Sequence, residues 1–234
     1  MCGRFALTSP RAAVEALTGA VSAAEFEPRY NISPSQMVKA VAEDGDKRLI
    51  SDYRFGLSPG FATEGGAPQL VVNARAETAA QRPAFRSALH GRRCLVPADA
   101  WYEWKTLGRF KQPYLIRRAD RALVTFAALW DVATLADGQK VRALAIVTTA
   151  AGADVSGIHD RMPAVVAPEH RDAWLDARVD GASLALRCLE PASAGTFETI
   201  AIGALINRPS NDGPEVQQPA PERGEGDPAQ PRLI

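Results

Sequence analysis

The second residue of the chain, Cys2, carries the most distinctive chemistry in the sequence. Methionine aminopeptidases remove Met1 when the next residue is as small as cysteine, so we expect the mature chain to begin with Cys2. Its α-amine and thiol, with pKa values of about 7.7–8.0 and about 8.5, then lie on adjacent carbons, and both are nucleophiles. With an aldehyde, the amine forms a Schiff base and the thiol closes onto it as a thiazolidine. Alternatively, Cys2 is a small buried residue that starts a strand.

Three further polar residues stand where catalytic groups are often found. Glu103 lies among aromatic residues in the stretch WYEW, where desolvation raises the pKa of a carboxyl toward a useful acid–base range. His159 lies in a loop bounded by glycine and proline after an apolar strand, and Asn73 ends another apolar strand. Each also has a structural alternative: Glu103 as an outward-facing strand residue, His159 as a hydrogen-bonded turn residue, and Asn73 as a turn former.

The composition is that of a globular protein with a local excess of positive charge. The 234 residues are 46% hydrophobic and 23% charged, and 27 Lys and Arg balance 27 Asp and Glu. These values exclude wholesale disorder, coiled coil and collagen. Residues 73–118 nevertheless hold ten basic and three acidic residues, a net charge of +7. Such a segment indicates either a surface for an anionic ligand or the solvated faces of strands and helices.

The sequence predicts a cytoplasmic protein, associated with the nucleoid if bacterial, that has no membrane segment. No apolar run reaches the roughly 20 residues of a membrane helix, and the N-terminus lacks the apolar stretch of a secretory signal. The three cysteines are far apart, and the three histidines have no ligand spacing with them. We therefore expect no disulfide framework, no metal site and no organic cofactor.

Many short strands with few helices between them predict an α+β fold with a largely antiparallel sheet or barrel. The predicted strands are 3–8, 37–42, 47–57, 69–72, 94–97, 101–105, 114–118, 122–129, 143–149 and 196–202. The first predicted helix has Ser9 as its N-cap and Pro10 at its first position, and Gly19 ends it. The other predicted helices are at 77–89, interrupted or bent at Pro83, at 168–178 and at 182–189. One domain, 1–215, is expected to precede a disordered tail, 216–234, that is rich in proline, glycine and charge.

Eight short stretches resemble the SRAP family (SOS-response-associated peptidase), whose members sense abasic sites in single-stranded DNA. They are MCGRF at 1–5, YNISP at 30–34, VNARAET at 72–78, RCLVPAD at 93–99, WYEWK at 101–105, IHDRMP at 158–163, NRP at 207–209 and NDGPE at 211–215. The stretches follow the order of the family and span nearly the whole chain. The combination is highly specific, and it implies a single domain with a barrel-like β-core flanked by helices.

The resemblance implies a role for each candidate residue. Cys2 is the nucleophile that forms a thiazolidine crosslink with the ring-opened sugar aldehyde of an abasic site. Asn73 orients the reacting terminus, Glu103 acts as acid and base, and His159 assists protonation during ring opening. Lyase activity at the abasic site and self-removal of Met1 are further expectations.

The implied partner is single-stranded DNA that contains abasic sites, bound by a monomer. Arg4, Arg75 and Arg161 match family positions that contact the DNA backbone. Where many relatives carry a tryptophan, this sequence offers only Phe61 to stack on a base. Because a stack on an aromatic side chain contributes about 1–3 kcal/mol, we expect weaker tolerance of flanking duplex DNA.

Two other classes of function remain open at this point. The first is an N-terminal-nucleophile amide hydrolase or peptidase, in which the α-amine of Cys2 serves as base and an asparagine stabilises the oxyanion. The second is a single-stranded DNA-binding module without catalysis. The product distinguishes the three: a covalent DNA adduct, a cleaved amide, or neither.

Overall fold

A computed structural model of the chain describes residues 2–58, 70–135, 137–177, 182–189 and 192–222. The strands are Phe5–Leu7 (β1), Arg29–Ile32 (β2), Met37–Asp44 (β3), Lys47–Phe55 (β4), Asn73–Arg75 (β5), Arg93–Ala98 (β6), Ala100–Leu107 (β7), Phe110–Arg118 (β8), Val124–Thr134 (β9), Lys140–Ala150 (β10), Arg161–Pro163 (β11) and Phe197–Ala201 (β12). The α-helices are Arg11–Thr18 (α1), Ala76–Ala79 (α2), Pro83–Gly91 (α3), Arg171–Leu175 (α4) and Ala182–Arg187 (α5). Short 3-10 helices lie at Pro168–His170, Ala204–Asn207 and Pro214–Gln217.

Strands β3, β4, β6, β9 and β10 close into a barrel. Around the ring, neighbouring strands are antiparallel, except that β10 runs parallel to β4, with Ala143 opposite Arg54. Beyond the residues that pair with β4, the C-terminal half of β10 pairs with two short strands. Strand β5 runs parallel to it, and strand β11 runs antiparallel to it. Strand β10 is therefore shared between the barrel and the segments that follow Val72 and Asp160.

A second sheet, in the order β12-β8-β7-β1-β2, packs onto the barrel through aromatic side chains. Phe5 and Trp101 from this sheet meet Phe126 of β9 edge to face, with ring centroids 6.1 and 5.9 Å apart. Phe5 also meets Phe55 of β4 at 5.6 Å. Each such pair contributes about 0.5–1.5 kcal/mol beyond the area that it buries. The packing fixes the strands that lead into Cys2 and Glu103.

The structure confirms the predicted α+β class with a largely antiparallel, barrel-like core. Two strands, β2 and β11, were not predicted, because three or four residues are too few to show a periodicity. The predicted helix at 77–89 is divided, and Pro83 begins α3, where its missing N–H costs nothing.

The first helix ends as predicted and begins one residue later than predicted. Gly19 adopts the left-handed conformation, with φ 66°, and closes the helix through a hydrogen bond to Glu15. Ser9 does not cap the helix, because its hydroxyl donates to Asp99 Oδ1 at 2.6 Å instead. This bond ties the end of β1 to the start of β7.

The C-terminal segment is ordered further than its composition indicates. Val216 is buried, and Gln217 Nε2 donates to the Tyr102 hydroxyl at 2.8 Å. Residues 216–222, assigned to the predicted tail at 216–234, therefore pack against the second sheet, because Val216 gives them an apolar anchor. The rest of that tail lies outside the described residues.

The helices lie at the periphery, where Arg93 joins two of them. Its buried guanidinium donates to the carbonyl of Leu89 in α3 and to that of Trp174 in α4, both at 2.6 Å. In the described part of the chain, no helix is long and apolar enough to cross a membrane; α3 has nine residues against the roughly 20 required.

Candidate active site

Cys2 and Glu103 come together because β1, which begins three residues after Cys2, pairs antiparallel with β7, which contains Glu103. The N–H of Tyr102 donates to the carbonyl of Arg4 at 3.0 Å. Continuing this register toward the N-terminus puts Gly3 opposite Glu103, so Cys2 lies at the same end of the sheet. Both Cys2 and Glu103 are buried, at 0% and 2% exposure. Glu103 is therefore not an outward-facing strand residue, whereas Cys2 is indeed a buried residue near the start of a strand.

Asn73 links this end of the second sheet to the barrel. It is the first residue of β5 and pairs with Ile146 of β10. Its Nδ2 donates to the backbone carbonyl of Cys2 at 2.9 Å and, more weakly, to that of Ile146 at 3.4 Å. Its Oδ1 is buried and accepts no hydrogen bond from the described residues. Since buried amide oxygens nearly always accept one, this atom is a place for an incoming donor.

His159 is held so that either protonation state has a partner. The backbone N–H of Arg161 lies 2.9 Å from His159 Nδ1, and a carboxylate oxygen of Asp160 also lies 2.9 Å from that atom. In the neutral ring, Nδ1 accepts from the amide and the proton is on Nε2. In the charged ring, Nδ1 donates to Asp160. These two contacts fix the orientation of the imidazole ring.

Cys2, Glu103 and His159 share one electrostatic environment. Burial raises the pKa of Glu103, and nearby positive charge, including that of His159, opposes the rise. Burial, and after it the Glu103 carboxylate, raises the pKa of the Cys2 thiol well above its usual range. The thiol is therefore protonated at neutral pH, close to a carboxyl whose proton affinity is increased.

Arg161 is engaged by an acidic residue beside the site. Its guanidinium makes a two-pronged ion pair with Glu77, at 2.6 and 2.9 Å. It also donates to the carbonyl of Thr148 on β10 at 2.6 Å. The Arg161 side chain is 13% exposed and that of Glu77 is 53% exposed. A phosphate that binds Arg161 must therefore displace, or add to, the Glu77 carboxylate.

Arg4 also forms hydrogen bonds, with Asn31 and with the C-terminal segment that contains Ile206. Its Nη1 donates to Asn31 Oδ1 and to the carbonyl of Ile206, both at 2.7 Å. The guanidinium lies 5.9 Å from the ring centre of Trp104. Burial lowers the pKa of Arg4, and these contacts leave it only partly available to a ligand.

Of the three candidate arginines, Arg75 is the one whose guanidinium is available to bind a ligand. It is exposed, and its side chain has no hydrogen bond or ion pair with any described residue. The fourth candidate for DNA contact, Phe61, lies outside the described residues.

The basic segment at 73–118 is less positive at the surface than its sequence indicates. Four of its ten basic side chains are engaged with residues outside the segment: Arg92 with Asp131, Arg93 with main-chain carbonyls including that of Trp174, Arg117 with Glu198 and Arg118 with Asp120. The other six basic residues lie at Arg75 in β5, at the start of α3 (Arg82 and Arg86), and on the hairpin of β7 and β8 (Lys105, Arg109 and Lys111).

Sequence reasoning missed the residues that hold the candidates in place. Glu77, Asp160 and Asn31 contact Arg161, His159 and Arg4 respectively. Each belongs to one of the quoted stretches, but nothing in the spacing indicates the contact. Among the described residues, no three His, Cys, Asp or Glu side chains are arranged to hold a metal ion.

Comparison with known proteins identifies the family to which the chain is similar. The sequence model of the family described as "SOS response associated peptidase (SRAP)" matches residues 1–209. Abasic site processing protein YoaM of Bacillus subtilis is 34% identical over 92% of this chain and 97% of its own length. Abasic site processing protein YedK of Escherichia coli is 32% identical over 94% and 100%.

Solved structures share the fold. The crystal structure of a protein from Bacteroides thetaiotaomicron superposes with a TM-score of 0.82 over 94% of this chain and all of that one, at 22% identity. With the family match over nearly the whole chain, the conclusion is that this protein belongs to the SOS response associated peptidase (SRAP) family.

Proposed function

We propose that this protein processes abasic sites in single-stranded DNA by capturing the sugar aldehyde covalently on Cys2, after Met1 has been removed. The observation that carries the proposal is the hydrogen bond from Asn73 Nδ2 to the Cys2 carbonyl at 2.9 Å, at the place where Glu103 and His159 also meet. Two relatives named abasic site processing proteins, similar over almost their whole length, support the choice of substrate.

The reaction needs proton transfer at its first step. An abasic sugar is mostly a closed hemiacetal, and opening it requires a proton on the ring oxygen and loss of the anomeric hydroxyl proton. We assign His159 to this step, because its imidazole lies close enough to Glu103 to act on the pKa of that carboxyl, and imidazole is the side chain most often used for proton transfer. The free α-amine of Cys2 then adds to the aldehyde carbon and water leaves, which gives an imine.

Ring closure then uses the thiol of the same residue. The sulfur adds to the imine carbon, the thiol proton is lost and the imine nitrogen gains one, so the thiazolidine forms with net release of one water. We assign the proton transfer to Glu103, because the Cys2 thiol is held in its protonated form and burial raises the pKa of this carboxyl.

Asn73 positions the terminus for both steps. Its Nδ2 holds the Cys2 carbonyl, which fixes the direction in which the amine and thiol point. Its Oδ1, buried and without a donor among the described residues, would accept an N–H from the freed amine. Arg75 contacts a DNA phosphate directly. Arg161 and Arg4 also contact phosphates, once the phosphate replaces the groups that bind these arginines in the free protein. Phe61 stacks on a base.

The test is a denaturing gel after incubation with single-stranded DNA that carries an abasic site. We expect a slowly migrating adduct without added reductant, whose intact mass equals protein without Met1 plus DNA minus one water. Cys2→Ala should abolish this adduct and leave only a Schiff base that borohydride traps. Cys94→Ala and Cys188→Ala, which change the other two cysteines, are the matched controls and should react like the wild type.

Two results would contradict the proposal. One is an active protein that retains Met1, because its α-amine and thiol then belong to different residues. The other is cleavage of peptide substrates that depends on Cys2 while abasic DNA gives no adduct, which would favour the amide hydrolase.

A further inference from the structure

A cavity separate from the candidate active site lies where α1, β9 and β12 approach the segment that follows β11. Its volume is about 400 Å³, within the range of roughly 300–1,000 Å³ that is typical of small-molecule pockets. Among the residues that the structure describes, the lining includes none of Cys2, Asn73, Glu103 and His159. The cavity is therefore a different place for a ligand.

Most of the cavity wall is apolar. Its large apolar side chains are Leu17, Leu123, Val124, Val165, Val166 and Phe197. Three of them, Val124, Val166 and Phe197, are buried members of the hydrophobic core. The inner wall is therefore preformed, and an apolar group that enters it is removed from water.

The cation Arg171 lines the same cavity without an ionic partner. Its Nε donates to the Thr125 hydroxyl at 3.2 Å, and its Nη1 donates to the carbonyl of Leu17 at 2.9 Å. Within the described part of the chain, Nη2 has no hydrogen bond and no carboxylate forms an ion pair with this guanidinium. Burial lowers the pKa of Arg171, because its charge is partly removed from water. Since a partly buried charge is normally paired, the guanidinium is a place for an anion.

Two other charged side chains of the lining limit what this anion is. Arg118 is already bound by both carboxylate oxygens of Asp120, at 2.8 and 2.6 Å. Glu169 is the only carboxylate among the described lining residues, and it is exposed and forms no ion pair with Arg171. Because Glu169 repels further negative charge, a single carboxylate fits this cavity better than a run of acidic residues.

We propose that this cavity binds a small monocarboxylate with a compact apolar body, which packs against the apolar wall while its carboxylate binds the Arg171 guanidinium. The free Nη2 supplies a charge-assisted hydrogen bond, and the wall supplies the burial of the apolar body. This site does not depend on the chemistry proposed for Cys2, so either proposal can be refuted without the other.

The test uses phenylpropionate as the probe, with two compounds that separate its parts. Phenylpropionamide keeps the apolar body without the charge, and acetate keeps the charge without the body. Each compound is titrated into the full chain, and backbone amide chemical shifts are followed by two-dimensional NMR. Phenylpropionate should shift the amides of Thr125, Arg171 and Phe197 in a saturable manner and leave that of Asn73 in place. Phenylpropionamide and acetate should each bind about tenfold more weakly or less.

Arg171→Gln should weaken the binding of phenylpropionate about tenfold or more and leave the affinity for phenylpropionamide unchanged. Arg86→Gln makes the same change in net charge at an exposed residue of α3 that does not line the cavity, and it should bind like the wild type. Equal affinity of the wild type for phenylpropionate and its amide would overturn the proposal, as would the absence of a saturable shift.

Ala122→Trp gives an independent test, because Arg171→Gln also removes two hydrogen bonds within the fold. Ala122 is exposed and lines the cavity, so the larger side chain fills the space and leaves the guanidinium in place. This variant should abolish the binding of phenylpropionate, whereas Ala12→Trp, on an exposed position of α1 outside the cavity, should not. Wild-type affinity in both Arg171→Gln and Ala122→Trp would show that the probe binds elsewhere.

A competition experiment separates this site from the proposed function. Single-stranded DNA with a tetrahydrofuran abasic analogue, which has no aldehyde, is added to the protein loaded with phenylpropionate. The shifts of Thr125 and Phe197 should persist, because the DNA does not use this cavity. Displacement of the probe by this DNA would overturn the proposal, since the cavity would then belong to the DNA-binding surface. Failure of abasic DNA to form an adduct would refute only the covalent mechanism.

Discussion

Glu77 and Arg161 form a two-pronged ion pair across 84 residues of sequence, with both carboxylate oxygens 2.6–2.9 Å from guanidinium nitrogens. This is also the geometry in which an arginine binds two oxygens of a phosphate. The Arg161 guanidinium holds the pKa of Glu77 below its usual value. The carboxylate therefore stays charged at neutral pH and occupies the place where a DNA phosphate would bind Arg161.

Glu77→Gln should therefore increase the affinity for single-stranded DNA. A partly exposed ion pair contributes about 0.2–1 kcal/mol, so removing this competitor should tighten binding by up to about fivefold. Because the pKa of Glu77 is lowered, the gain should be constant between about pH 6 and pH 8 and should shrink only in acid, as the wild-type carboxyl is protonated. Anisotropy with an abasic analogue measures it.

Glu27→Gln is the matched control, since Glu27 is exposed and no ion pair is described for it. It makes the same change in net charge away from the site and should shift the affinity less. Weaker binding by Glu77→Gln would show that Glu77 orients Arg161 rather than competing for it.

Glu103→Gln and His159→Ala should each slow formation of the covalent adduct. A general acid or base contributes about 10²- to 10⁴-fold to a rate, and we expect losses in that range. Rates are measured in single turnover at saturating abasic DNA, so that binding does not enter. His90→Ala, which changes an exposed histidine on α3, should react at the wild-type rate. Wild-type rates for both site variants would mean that proximity to Cys2 is sufficient.

Glu103→Gln should also make the protein more stable at neutral and alkaline pH. Burial raises the pKa of Glu103, so the carboxyl favours the folded state below its unfolded pKa and loses this contribution as pH rises through its folded value. Glutamine keeps the shape and never carries the charge. The urea midpoint of Glu103→Gln should therefore exceed that of the wild type near pH 8, and the two should converge near about pH 4.

Glu27→Gln again serves as control, and its urea midpoint should follow the wild type at both pH values. A buried carboxyl that lowers the stability of the folded protein is expected in an active site, because activity often requires groups that are unfavourable for folding. Lower stability of Glu103→Gln at pH 8 would mean that the charged form is the one that the fold stabilises.

Short stretches of sequence predicted the residues around Cys2, because each lies in a local pattern of its own. The aromatic neighbours of Glu103 and the loop around His159 are visible within a few residues of sequence. In the structure, Asn73 contacts Cys2, and Glu103 interacts electrostatically with both Cys2 and His159. The α+β class followed similarly from many short strands with few helices.

The rest depends on contacts between distant residues, which local patterns do not contain. Strand β5 was predicted at 69–72 and lies at Asn73–Arg75, because it is defined by pairing with β10. The closure of the barrel through the parallel pairing of β4 and β10 is likewise absent from any window of sequence. Glu77 and Arg161 lie 84 residues apart in the chain, and only the fold makes them a pair.

Asn31 is the clearest case of such a distant contact. Its side chain is fully buried, its Oδ1 accepts from Arg4, and its Nδ2 donates to the carbonyls of Arg208 at 3.0 Å and Asn211 at 2.7 Å. Its backbone N–H donates to Asp212 at 2.7 Å. The side-chain amide of Asn31 therefore links β2 both to the C-terminal segment and to Arg4, which lies two residues after Cys2.

Asn31→Ala should lower the free energy of unfolding by about 2–4 kcal/mol, because it leaves several buried polar groups without partners. Urea denaturation measures the loss, and amide hydrogen exchange should rise around Arg208 and Asn211 before it rises in the barrel. Asn207→Ala removes an exposed acceptor of Trp104 Nε1 nearby and should cost less than about 1 kcal/mol. The adduct rate of Asn31→Ala, taken where the variant is folded, should also fall, since Arg4 loses its anchor beside Cys2. Exchange that rises uniformly across the protein, with the adduct rate unchanged, would show that Asn31 stabilises the fold as a whole and does not position the N-terminus.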